Sequence, residues 1–363
     1  MRLETVISEM GVGGAERVVV ELVRDAAARG DDLGLLANPG PLDRELADLA
    51  VERSPLPTQR TAGALARATT ASWRFARRFK PDIVHAHNVR VGGLSRVGSQ
   101  LAHPLRRPPL VATYHGVPHE EVGGAARILR LADAVVCVSE GLREQLGAAG
   151  VPSRLLSVIP NGVPDAQPLD TTERERIDAE LGLGDGAPVV SIVGRLVPQK
   201  EHERFLRAAK RLTEEGLKTH FLVVGDGALR SQLEQRADEL GLDSQVRFTG
   251  VRDDARALIS RSDLIVFSSA WEGLSIAALE ALAAGVPVVS TDVAGMRELL
   301  SSGAGRVVPH DDEALATAIG ELLRDPELRA RTGAEGRRLH GERYSTARMT
   351  GAYREIYERL LAA

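Results

Sequence analysis

Glu272–Gly285 reads EGLSIAALEALAAG, and its reading decides the fold. Two glutamates eight positions apart bracket a run of small and aliphatic residues. Ser275 is an N-cap type, Ile276–Ala284 has the composition of a short helix, and Gly285 is a C-terminal stop. A helix that is apolar on every face is buried on every face. Its single charge, Glu280, needs a partner or a ligand, because a buried carboxylate is otherwise costly. Glu272 lies just ahead of the helix, where free backbone N–H groups and the positive dipole end collect anions. An anion seat beside a hydrogen-bonding carboxylate suits a nucleotide diphosphate. A core helix with one salt-bridged glutamate is the other reading of the same residues.

At 363 residues the chain exceeds what one core usually supports, so two domains are expected. A hydrophobic fraction of 43% with 26% charged residues is ordinary for a globular protein. The formal net charge of −4 gives no reason to expect a nucleic-acid partner. Cys137 is the only cysteine and sits in the apolar run AVVCVS, so it reads as a core residue of a reducing compartment. MRLETVISEM lacks the apolar stretch of a signal peptide. No run approaches the roughly 18 apolar residues of a membrane span. These features lead to the expectation of a cytoplasmic enzyme.

Away from that stretch, short apolar runs alternate with amphipathic helical segments almost throughout. Leu3–Ser8, Leu33–Ala37, Asp82–Ala86, Leu110–Thr113 and Ala134–Val138 form a first series of strands. Val189–Val193, Thr219–Val224, Val246–Thr249, Leu264–Ser268, Val286–Ser290 and Gly305–Val308 form a second. The alternation predicts α/β architecture with parallel sheets, in two doubly wound halves whose strand C-termini face a cleft. PNGVPDAQPLD, around Asn161–Asp170, carries three prolines and reads as the linker.

The residues able to carry chemistry sit at strand ends. GVGGAERVVVELV opens a helix after the first strand, but Glu16 stands where a G-x-G-x-x-G dinucleotide fingerprint needs its third glycine. Gly13 and Gly14 instead let backbone approach a phosphate. HAHN places His85 and His87 on one strand face; with no cysteine or close carboxylate to complete a site, they read as interior or cleft-lining residues rather than metal ligands. His115, after a strand end and before a glycine, is the better functional candidate. In SIVGRLVPQK, Arg195 and Lys200 lie in one strand-to-helix loop, where an arginine fork and a lysine point charge suit a diphosphate. The chain has no D-x-D triplet to hold a Mg²⁺-nucleotide, so no metal and no cofactor are expected, and the cations must meet the leaving charge.

Taken together these motifs resemble the retaining glycosyltransferases of family 4, the group 1 glycosyltransferases of GT-B fold. The matching stretches are GGAER (Gly13–Arg17), HAHN (His85–Asn88), TYHG (Thr113–Gly116), VSE (Val138–Glu140), PNGV (Pro160–Val163), VGRLVPQK (Val193–Lys200), the GDG turn (Gly225–Gly227) and EGLSIAALEALAAGVPVVST (Glu272–Thr291). They follow the family's order and span nearly the whole chain. Two departures stand out. Lys200 is followed by Glu201 where the family usually has glycine, and Glu272 by Gly-Leu-Ser where Gly-Phe-Gly is common.

The resemblance implies an N-terminal Rossmann-like acceptor domain over 1–168, completed by the returning C-terminal helix 345–363. A nucleotide-sugar donor domain would span 169–344. It implies transfer of a sugar, with retention, from a UDP- or GDP-sugar to the hydroxyl of a sugar, lipid-linked or small-molecule acceptor, in glycan, glycolipid or glycoconjugate synthesis. Carried over by residue, Arg195 and Lys200 would grip the diphosphate and Glu280 the ribose hydroxyls. Glu272 would lie beside the donor sugar, Gly273, Leu274 and Ser275 would offer hydrogen-bond donors, and Val251 would touch the base. His115 would reach the reacting carbon, and Gly13 and Gly14 would close over the phosphates. An epimerase or phosphorylase of the same fold, and a silent sugar-nucleotide-binding subunit, are the alternatives. WRFARRFK at Trp73–Lys80 is basic and aromatic, which leaves open a peripheral contact with the inner face of a membrane or an ordinary helix of the first domain.

Overall fold

The computed structural model describes residues 1–59 and 61–363. Contacts divide the chain into two compact units, Met1–Gly162 with Thr346–Ala363, and Val163–Ser345. The first division falls at Gly162, inside the proline-rich linker but ahead of residue 168. The reason is local: the Val163 N–H donates to the Tyr344 carbonyl at 2.9 Å, and Val163 pairs with Ser345. The His340 ring nitrogen Nε2 also lies 3.0 Å from the Val163 carbonyl oxygen. These bonds fasten the chain after Gly162 to the second unit.

The first unit holds a seven-stranded sheet of β1 (Arg2–Glu9), β2 (Asp32–Asn38), β3 (Val51–Ser54), β4 (Ile83–Ala86), β5 (Leu110–Tyr114), β6 (Ala134–Cys137) and β7 (Leu156–Val158). Its order is β3-β2-β1-β4-β5-β6-β7, and every pair is parallel. The second unit holds β8 (Val189–Val193), β9 (His220–Val224), β10 (Val246–Gly250), β11 (Leu264–Phe267), β12 (Val288–Thr291) and β13 (Gly305–Val308), all parallel, in the order β10-β9-β8-β11-β12-β13. Both faces of such sheets are covered by crossover helices, which is why the central strands are near-continuous Val, Ile and Leu. The order reverses between β1 and β4 in one sheet and between β8 and β11 in the other. At those switch points adjacent loops leave in opposite directions and open a crevice at the strand C-termini.

All eleven strands read from the sequence are present, within two residues at each end. β3 and β7 were not legible. Both are edge strands of three or four residues, VERS and LSV, whose side chains are half-buried or exposed and so carry no apolar run. The helix Ile276–Ala284 is bounded as expected: the Ser275 Oγ accepts from the Ala278 N–H, and Gly285 stops the helix in the left-handed region. Its end is also held by Arg337, which donates to the Ala284 carbonyl at 2.6 Å. The C-terminal helix Thr346–Ala362 buries Met349, Tyr353, Ile356 and Tyr357 in the first unit.

The basic and aromatic stretch Trp73–Lys80 belongs to the helix Ala62–Phe79. Phe75 and Phe79 are buried, with their rings over Gly34 of β2, where a side chain would collide. Arg78 reaches Glu52, and the Arg77 guanidinium stacks on Trp73. An outward aromatic face is therefore absent here, and what the stretch shows to solvent is mainly cationic. No helix among the described residues is long and apolar enough to cross a membrane.

One interior group departs from the apolar pattern. Glu4 of β1 is fully buried, on the sheet face it shares with its register neighbours Gly34 and Val84. Neither carboxylate oxygen has a hydrogen-bond partner among the described residues. Burial disfavours the charged form and pushes its pKa up to about 8 from an ordinary 4.5. The folded chain then keeps a proton that the unfolded chain releases, so stability falls as pH rises from about 4.5 to about 8 and levels off above. The slope is about 1.4 kcal/mol per pH unit at most. Glu4→Gln removes the titration. Its melting temperature should exceed that of the wild type at pH 8, by about 2–8 °C if 1–2 kcal/mol is recovered, and the gap should close near pH 5. Equal melting curves at both pH values would show that Glu4 is hydrated and ionised.

Candidate active site

The switch point of the second sheet is built from two neighbouring loops, Gly194–Glu201 after β8 and Ser268–Ser275 after β11. Several bonds lock them together. The Ala270 N–H donates to the Gln199 carbonyl at 2.9 Å, and the Gln199 side-chain amide donates to the Trp271 carbonyl at 2.9 Å. The Ser268 hydroxyl lies within reach of the Lys200 carbonyl at 2.9 Å and the Glu201 carbonyl at 3.0 Å. Thr291, at the end of β12, donates to the Ser269 carbonyl at 2.8 Å. Close backbone approach completes the frame: a Cβ on Gly225 would stand 2.0 Å from the Gly194 oxygen, and one on Gly295 would stand 1.6 Å from the Gly273 oxygen. Only glycine fits at either place.

Within this frame Lys200 and Glu272 form an ion pair, with side chains 15% and 8% exposed. Glu272 Oε1 accepts from the Lys200 ammonium and from the Ser269 hydroxyl, while Oε2 accepts no hydrogen bond from a described residue. An ammonium has three donors, so two remain. Arg195, in the same loop, is exposed and has no ion pair with a described residue. Gly273, Leu274 and Ser275 follow Glu272 into the N-terminus of the helix Ile276–Ala284. The Ser275 Oγ accepts from the Ala278 N–H as the helix cap, and its O–H remains able to donate.

Glu201 adopts φ 44°, ψ 45°, the left-handed conformation natural to glycine. The loop therefore takes the path a glycine would give it, although Glu201 stands there. Besides the Ser268 contact to its carbonyl, Glu201 pairs through its carboxylate with Arg204 at 2.8 Å, and Arg204 in turn reaches Asp312. His202, the next residue, is buried with both ring nitrogens unpartnered, and burial lowers its pKa to about 4.

Glu280 is reached differently from Glu272. Its Oε1 accepts from Arg256 Nε at 2.7 Å, and its side chain is 13% exposed. It borders a cavity of roughly 170 Å³ walled by residues 164–169, Arg256, Ser260 and Ala283. So the charge the sequence left unexplained has a partner, the salt-bridged glutamate of the plainer reading. Val251 is 58% exposed, just past β10.

In the first unit, Gly13 caps the helix Gly14–Ala28 after β1, with the Glu16 carboxylate occupying the space beside it. His85, His87 and His115 line one face of the β4–β5 strand ends. His85 and His87 are buried and His115 is half-buried; burial lowers the pKa of His115 to about 4 and of His85 to about 3. All three rings are neutral near pH 7. The structure brings Arg195, Lys200, Glu272, Gly273, Leu274 and Ser275 to one switch point. Glu280 and Val251 lie in the same unit, and His115, Gly13 and Gly14 at the strand ends of the other. Ser269, Gln199 and Arg256 were not foreseen, because a serine, a glutamine and a surface arginine carry no signal until the fold places them.

Comparison with known proteins agrees with this architecture. Residues 173–339 match the family model described as glycosyl transferases group 1, and residues 12–167 match that of glycosyltransferase family 4. LpsD of Rhizobium meliloti, a lipopolysaccharide core biosynthesis glycosyltransferase, is 32% identical over 96% of both chains. The 2-deoxystreptamine N-acetyl-D-glucosaminyltransferase of Streptomyces fradiae is 30% identical, covering 89% of this chain and 85% of its own. The crystal structure of Anabaena HepE in complex with UDP-glucose shares the fold, with a TM-score of 0.88 at 22% identity over 99% of this chain and 100% of the other. Both parallel-sheet units are those of the GT-B fold, and the chain belongs to the group 1 glycosyltransferases of family 4.

Proposed function

We propose that this glycosyltransferase moves a sugar from a UDP- or GDP-sugar to an acceptor hydroxyl with retention at the anomeric carbon and without a metal. The observation that carries this reading is the unpaired Arg195 beside the partly satisfied Lys200, both on the loop at the β8–β11 switch point. A lysine held in place by Glu272 and an arginine uncommitted on the same loop suit a departing diphosphate, since positioned charge stabilises the leaving group. Lys200 keeps two N–H donors for diphosphate oxygens while Glu272 anchors the third. The uncommitted Glu272 Oε2 then accepts from a sugar hydroxyl, and backbone N–H groups at the start of the Ile276–Ala284 helix add to the anion seat.

In this reading the carbon–oxygen bond to the diphosphate breaks first and leaves an oxocarbenium-like centre. The acceptor oxygen attacks from the same face. Its proton passes to a diphosphate oxygen, whose negative charge Arg195 and Lys200 hold. Glu280 accepts from the ribose, Val251 meets the base, and His115, Gly13 and Gly14 supply further contacts. The UDP-glucose bound to HepE supports a nucleotide-diphosphate donor. The relatives named for lipopolysaccharide core and for 2-deoxystreptamine support sugar, lipid-linked or small-molecule acceptors. A peripheral membrane contact through residues 73–80 would rest on the cations there rather than on the buried phenylalanines.

A thermal-shift screen of UDP- and GDP-sugars should identify the donor by a rise in melting temperature. With that donor, Lys200→Ala and Arg195→Ala should each lower kcat by about 10²–10³-fold, the usual loss for one charge-stabilising group. A chelator should leave the rate unchanged, and NMR of the product should show the donor's anomeric configuration. Near wild-type transfer by Lys200→Ala would overturn the assignment. The Glu201 backbone gives an independent check on the loop. Glu201→Gly should keep the activity and relieve on the order of 1–2 kcal/mol of left-handed penalty, raising the melting temperature by about 2–8 °C.

A further inference from the structure

We propose that His87 is a positioning residue for His115: its ring, packed against both His85 and His115, holds the His115 imidazole in the orientation used during transfer. The inference rests on the reading that His115 meets the donor sugar.

The packing starts at the C-terminal helix. The Tyr357 hydroxyl and His85 Nδ1 are hydrogen-bonded at 2.7 Å, and His85 Nε2 is hydrogen-bonded to Thr113 Oγ1, also at 2.7 Å. Thr113 Oγ1 is in turn 2.9 Å from the Tyr353 hydroxyl. With both nitrogens engaged, the His85 ring cannot rotate. His87 lies against it with ring centroids 4.1 Å apart, and its own backbone N–H is held by the Val6 carbonyl at 2.9 Å. His87 also stacks on His115, with centroids 5.8 Å apart and ring planes 24° from parallel.

His87 is 1% exposed, and neither of its nitrogens has a hydrogen-bond partner among the described residues. Whatever the ring does, it therefore does through its faces. His115 needs such support. It sits just past the end of β5, and Gly116 turns the chain at φ 95°, so no regular element holds the residue on its far side. Its Nε2 also lacks a partner. Its ring packs on the neighbouring His87 imidazole, and that contact traces back through His85 to Tyr353 and Tyr357.

The test uses the full-length enzyme with histidine-selective isotope labelling. His87→Ala should displace the His115 ring resonances and lower kcat on the order of 10- to 100-fold with little change in donor KM. His87→Phe, which keeps a flat ring in the stack, should recover most of that loss, and Tyr357→Phe should shift the His115 resonances in the same direction as His87→Ala but less. Thermal unfolding identifies which variants are folded. A folded His87→Ala with wild-type kcat and unmoved His115 resonances would overturn the proposal, as would a folded His87→Phe no better than His87→Ala. Wild-type turnover by His115→Ala would instead defeat the role given to His115, while the resonances would still report whether His87 orients it.

Discussion

The ion pair between Lys200 and Glu272 is the interaction on which the arrangement of the site depends. It joins residues 72 positions apart, at the ends of β8 and β11, the strands that flank the switch point. A pair this buried is weak evidence for stability, because desolvating two charges offsets most of their attraction. What it provides is geometry. One carboxylate oxygen is saturated by Lys200 and Ser269, so the ammonium is held in place with donors to spare. The surrounding Ser268, Gln199 and Thr291 hydrogen bonds fix the backbone that carries both partners. Charge stabilisation is effective only if the charges are in place before the reaction begins, and this frame meets that condition.

Several local rules are broken around the strand ends, each at a cost of about 1–3 kcal/mol. Glu201 holds a left-handed backbone at the end of the Lys200 loop, and His202 beside it buries two unpaired ring nitrogens. His87 buries two more at the corresponding edge of the first sheet. Sites where local preference and global fold disagree tend to be functional. Glu4 is the exception, since it lies mid-strand in β1, away from the candidate site, and nothing in the structure assigns it a task.

Two features gave the fold away. Period and punctuation are local properties of a chain, so the alternation of apolar runs with amphipathic segments marked eleven parallel strands and the two-unit division. Ser275 and Gly285 bounded the central helix because a cap and a stop act over a single turn. The short edge strands β3 and β7 escaped because a half-exposed strand has no apolar run to announce it.

The sequence by itself thus determined the fold class, the family and the residue types gathered at the strand ends. Only the tertiary structure decided which of them pair. It gave Lys200 to Glu272 and Arg256 to Glu280, placed a glycine-like turn at Glu201, and turned Phe75 and Phe79 inward in a stretch whose sequence left membrane contact and ordinary helix both open. It also stacked His85, His87 and His115 into one row backed by the C-terminal helix. The physical reason is distance along the chain. Helices, caps and strands are settled by neighbours a few residues away, whereas these contacts join side chains separated by tens to hundreds of positions, and only the packed sheets bring them within bonding reach.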